Sequence, residues 1–130
     1  MPTVDTFTPE NTMTPVGPYS HIAIVGQFIT IGATAGVDPA TGALAGSDVG
    51  SQTKQILDAF AYMLASVGSD LDHIVHINIF LKDMADFHAM NDAYIERMGA
   101  RRPARTAISV TDVPKPGALL TMNLTAVTIE

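Results

Sequence analysis

The sequence has no cysteine and no tryptophan. Without cysteine there is no disulfide framework, no thiolate nucleophile and no cysteine-based metal site, a composition that fits a reducing compartment. Basic residues are also scarce: seven Lys and Arg stand against thirteen Asp and Glu, for a net charge of −6. Proteins that neutralise phosphates normally carry a basic stripe, so nucleic acid is not expected as a main partner. No stretch approaches the roughly 20 uninterrupted apolar residues of a membrane-spanning helix, so no membrane partner is expected either. The opening residues Met1-Pro2-Thr3-Val4-Asp5 lack a basic patch followed by an apolar run. They read as neither a secretory signal nor a transit peptide, and the expected location is cytoplasmic.

What remains is enough for one core. The apolar share is 47%, too high for disorder. A chain of 130 residues is expected to form a single domain, 1–130, that buries about two thirds of its extended surface. Residues 22–31 read as two short β-branched strands joined by Gly26-Gln27, which is tight-hairpin chemistry. Apolar residues at 56, 57, 60, 63, 64 and 67 give residues 48–67 the stripe of a helix with one buried face. A strand is expected over 73–81, with Val75, Ile77, Ile79 and Leu81 on one side and His76, Asn78 and Phe80 on the other. A second helix is expected to start near Asp83, with Phe87, Met90, Asn91, Tyr94, Ile95 and Met98 on its inner stripe and Gly99 at its end. Two further strands, 106–110 and 119–129, flank the turn Pro114-Lys115-Pro116-Gly117. The expected order is ββαβαββ, an α+β layer in which two helices cover one face of a mixed sheet. In the last strand Leu120, Met122, Leu124 and Ala126 form an apolar side, while Thr121, Asn123, Thr125 and Val127 form a mixed one. A half-polar sheet face without helices is a candidate subunit interface.

Among side chains that could carry chemistry, Arg105 is the most informative. It follows Pro103 in the run Arg102-Pro103-Ala104-Arg105-Thr106-Ala107-Ile108 and opens a strand-like segment instead of sitting on a solvated helix. A guanidinium placed in this way can grip a carboxylate through two parallel hydrogen bonds, which points to a small carboxylic acid as ligand. Asn91 reads as an interface or capping hydrogen-bonder. The four histidines show no spacing that would hold a metal, so no metal is expected. No Ser-His-Asp arrangement or phosphate-cradling glycine loop can be read, and no cofactor is expected.

Several segments together resemble the reactive-intermediate deaminase (Rid, YjgF-like) family. They are Pro15-Val16-Gly17-Pro18-Tyr19, Pro39-Ala40-Thr41-Gly42, Phe80-Leu81-Lys82-Asp83-Met84-Ala85-Asp86-Phe87, Asn91-Asp92-Ala93-Tyr94 and Pro103-Ala104-Arg105. The resemblance implies a chorismate-mutase-like fold assembled as a homotrimer, with ligand clefts at the subunit boundaries. It also implies hydrolysis of small 2-imino or enamine carboxylic acids to 2-keto acids and ammonia. Arg105 then matches the arginine that clamps the substrate carboxylate, and Tyr19 the tyrosine that walls the cleft. Gly32 and Ala107 match positions whose main-chain groups surround the ligand.

The chain departs from the family pattern at two places. Asn123 stands where deaminating members have a glutamate for the attacking water, and an amide can hold water but cannot take its proton. Ile31 stands where a serine is common, with an apparent one-residue insertion in Ala33-Thr34-Ala35-Gly36. These departures leave three readings beside full deaminase activity. One is a reduced-activity or repurposed enzyme, such as a dedicated catabolic enamine deaminase. Another is a paralogue that binds a small carboxylate without turnover. The third is a ribonuclease or chaperone-like role, which the charge balance disfavours.

Overall fold

The computed structural model describes residues 3–130. The elements follow in the order β1 (Asp5–Phe7), β2 (Ile22–Val25), β3 (Phe28–Thr34), α1 (Val49–Ala65), β4 (Ile74–Leu81), α2 (Phe87–Met98), β5 (Ala104–Ser109) and β6 (Leu120–Val127). The strands form one sheet of six in the order β1-β2-β3-β6-β4-β5. Only β4 and β5 run parallel; every other neighbouring pair is antiparallel. The parallel pair needs a crossover, and α2 supplies it. β1 was not foreseen. Its three residues are all exposed, so they carry no alternation to read, and the order becomes βββαβαββ.

Helix α1 forms where its apolar stripe predicts. Asp48 stands before it in extended conformation and accepts a hydrogen bond from the Ser51 amide at 2.9 Å, which satisfies one of the free amides of the first turn. Ile56, Leu57, Phe60, Met63 and Leu64 are buried against Ile77, Ile79, Leu120, Met122 and Leu124 of the sheet. Two polar side chains of the helix, Gln52 and Thr53, are buried with them. Gln52 donates to the carbonyls of Gly46 and Gly117 and accepts from the Leu119 amide at 2.8 Å. It therefore ties the loop before α1 to the loop before β6. Gly36 packs so closely on this turn that a Cβ would lie 2.6 Å from the Gln52 carbonyl oxygen.

Three local details differ from the sequence reading. Asp83 caps a short 3-10 turn, Met84–Asp86, by accepting from the Ala85 amide, and α2 proper begins at Phe87. Along α2, Met90, Ala93, Tyr94 and Met98 are buried, whereas Ile95 is 53% exposed. Val75 does not join Ile77 on the core face. The β4–β6 register shifts between Ile74 and His76, so Ile74 takes the inner position and Val75 is left 51% exposed, as an extra residue at a β-bulge is.

A candidate active site in two halves

Arg105 lies on β5, an edge strand, opposite Ile77 of β4. It shares the helix face of the sheet and reaches over α2, with its guanidinium carbon 4.8 Å from the centre of the Tyr94 ring and 5.9 Å from that of Phe87. Stacking on two aromatic faces holds the cation in place without using its N–H donors. Five of the six other Lys and Arg side chains are already engaged. Lys54 pairs with Glu96, Lys82 with Asp112, Arg97 with Asp58 and Arg101 with Asp72, while Arg102 donates to the carbonyls of Gly99 and Arg101. Among the described residues neither Arg105 nor Lys115 has an acidic or hydrogen-bonding side-chain partner. Arg105 lines a hollow of about 300 Å³ with Asn91, Tyr94, Ile95, Arg102 and Pro103. Beneath it the Tyr94 hydroxyl and the Asn91 side-chain oxygen are buried without partners. Burial raises the pKa of the Tyr94 phenol above its ordinary value, and the charges of Arg105 and Arg102 pull it partway back.

The second half is a groove of about 280 Å³ on the other side of the sheet order, where Tyr19, Gly32, Ala33, Lys115 and Thr121 meet Met13 and Pro114. A bulge makes room for it. β3 and β6 pair Ile31 with Leu124 and then Thr34 with Met122, so Gly32 and Ala33 share one position and the ladder opens there. The Tyr19 hydroxyl accepts from the Val16 amide at 3.1 Å, which closes the Pro15-to-Tyr19 turn on itself. His21, 1% exposed, stands behind Tyr19 with ring centres 6.1 Å apart.

The residues expected at the site therefore divide. Arg105 and Asn91 line the first hollow, and Tyr19 and Gly32 line the second. Ala107, on the same face of β5 as Arg105, packs against the core. Ile31 is a correction: its side chain is 0% exposed in the core, because it precedes the bulge and points toward the helices. Asn123 is also displaced from its expected place. Its side-chain oxygen accepts from Asn78 at 2.9 Å across the β4–β6 pair, and the β6 residue that reaches the groove is Thr121, two positions earlier. Strand alternation puts both on the same face, so the sequence alone had no signal to choose between them.

Fold and site geometry define an α+β protein of chorismate-mutase-like architecture. The endoribonuclease L-PSP family model matches residues 9–128, and the chain belongs to this family, the Rid or YjgF-like proteins. It is 38% identical over 106 residues to a RutC family protein of Pyrococcus horikoshii, covering 82% of this chain and 84% of the relative. It is 36% identical over 102 residues to the goat 2-iminobutanoate/2-iminopropanoate deaminase, covering 78% of this chain and 74% of that protein. Among solved structures, YyfA of Yersinia pestis, described as a protein of unknown function of the conserved Rid family, superimposes with a TM-score of 0.89 at 27% identity, covering 97% of this chain and 100% of that one. No helix among the described residues is long and apolar enough to cross a membrane.

Proposed function

We propose that the protein hydrolyses small 2-imino or enamine carboxylic acids to 2-keto acids and ammonia, in clefts shared between copies of a homotrimer. The observation that carries the proposal is Arg105, stacked, half-buried and without an acid among the described residues. A carboxylate held by two of its N–H groups completes it. Arg105 and Gly32 of one chain are separated by β6 and β4, three strand spacings or about 14 Å, too far for one small molecule to touch both. A neighbouring copy has to bring its groove to this arginine.

In that cleft the substrate carboxylate sits on Arg105 and the groove takes the rest of the molecule against Tyr19, Gly32 and Ala33. Water adds to the imine carbon, one of its protons passes to nitrogen, and the resulting carbinolamine expels ammonia as the carbonyl forms. Thr121 is the β6 side chain placed to hold that water. A hydroxyl orients but does not act as a base at neutral pH, so rate enhancement rests on positioning, and activity is below that of an enzyme with a carboxylate at this place. The naming of relatives as 2-iminobutanoate/2-iminopropanoate deaminase supports the reaction class. The endoribonuclease in the family's name gains no support from a chain of net charge −6, which repels a polyphosphate.

The test is release of ammonia and keto acid from freshly generated 2-imino acids. Wild type should accelerate it over buffer and Arg105→Ala should not. Stabilisation of wild type by the keto acid without any turnover would instead favour the reading of a non-deaminating carboxylate binder, which the same arginine geometry also serves.

A further inference from the structure

We propose that His21 is the positioning residue of the groove wall, and that it acts through one hydrogen bond to the carbonyl of Met13. Between residues 9 and 19 two hydrogen bonds reach the rest of the described chain: Tyr62 to the Glu10 carbonyl at 2.8 Å, and His21 Nε2 to the Met13 carbonyl at 2.6 Å. The second lies at the groove, because Met13 is one of its lining residues. A carbonyl only accepts, so Nε2 carries a proton and donates it in this bond. The other ring nitrogen, Nδ1, is buried without a partner.

His21 contacts three of the groove's lining residues, Met13, Tyr19 and Gly32. Its ring meets Tyr19 edge-on at 72°, and its carbonyl accepts from the Gly32 amide at 2.9 Å. Its own amide donates to the Thr8 hydroxyl at 3.1 Å. One residue thus joins the two walls: its buried side chain holds the Met13 carbonyl of the loop, and its main-chain carbonyl holds the Gly32 amide of the bulge. No role in proton transfer is assigned to it, since the ring is closed off from the groove.

The test uses the full chain and two amides that differ only in reach. His21→Gln places an N–H where Nε2 stands, and His21→Asn reaches no farther than Nδ1. The initial rate of chymotryptic cleavage after Tyr19 reads local opening of the loop, and KM and kcat with 2-imino acids read the groove. The kinetic arm rests on the deaminase reading; the cleavage arm does not.

His21→Gln should match wild type within about twofold. His21→Asn should be cleaved about three- to tenfold faster, the size of effect that one net hydrogen bond has on a local opening equilibrium, with KM raised by a similar factor and kcat little changed. Equal cleavage of the two variants overturns the proposal, and so does a loss confined to kcat. A His21→Asn chain that fails to fold assigns the residue to the core and overturns it as well. If wild type shows no imine turnover, the cleavage comparison still decides the tether while the deaminase reading alone is lost.

Discussion

Arg105 was legible at the residue scale because its environment is written next to it: a proline two residues before, a strand after, and no helix to solvate it. The structure adds that Tyr94 and Phe87 grip the guanidinium from α2, which makes a lysine a poor substitute. A lysine has neither the planar stack nor the paired donors. Arg105→Lys is expected to weaken carboxylate binding by about 1.5–3 kcal/mol, roughly ten- to hundredfold in Kd, measured by titration with a keto acid. Thr121 was not legible, because it and Asn123 occupy equivalent positions of one alternating pattern and only the bulge in β3 decides which of them meets the groove. Two glutamate substitutions separate them. Thr121→Glu puts a carboxylate beside Tyr19 and Gly32 and should raise imine hydrolysis, with a general base adding up to about 10² in rate. Asn123→Glu puts it against the Asn78 amide and should leave kcat near wild type. The reverse outcome would return the water site to Asn123.

At the scale of elements, periodicity and capping carried the reading well. Both helices lie where the apolar stripes put them, and Asp48 and Gly99 stand at their ends. Bulges were the blind spot, since one extra residue leaves no mark in composition, yet the one in β4 moved Val75 out of the core and the one in β3 opened the groove at Gly32 and Ala33. The cap itself offers a pH test. Hydrogen bonding from the Ser51 amide, with that from the Ser51 hydroxyl, holds the Asp48 carboxyl below its ordinary value. A carboxyl with a lowered folded-state pKa stabilises the protein above the ordinary carboxylate range, and that contribution is lost as pH falls through the folded value. Asn is also a good cap but does not titrate here. Asp48→Asn should therefore melt below wild type at neutral pH, and the gap in Tm should close as the pH is lowered toward 3. A gap that stays constant with pH would show that the carboxylate's charge plays no part.

For the whole molecule, the strand pattern foretold a helix-free sheet face as a candidate subunit interface, while the homotrimer came only from the family resemblance, because alternation within one strand carries no information on stoichiometry. The geometry supplies a reason for a partner: Arg105 at one edge and the Tyr19 groove beyond β6 serve one ligand only if different copies contribute them. In a ring of identical chains each head-to-tail contact joins the arginine of one copy to the groove of the next. Two individually inactive variants then restore each other. Arg105→Ala removes the clamp and keeps the groove. Gly32→Phe fills the groove and keeps the clamp, and its Cβ starts without a clash, 3.9 Å from the His21 carbonyl oxygen. When equal amounts are unfolded and refolded together, a groove from the first meets an arginine from the second at about one half times one half, or about a quarter, of the contacts of a closed ring. The mixture should regain about a quarter of wild-type imine hydrolysis, and separately refolded samples mixed afterwards should regain none until subunits exchange. If the co-refolded mixture stays inactive while light scattering shows a mixed trimer, both parts of the site belong to one chain and the shared cleft is wrong.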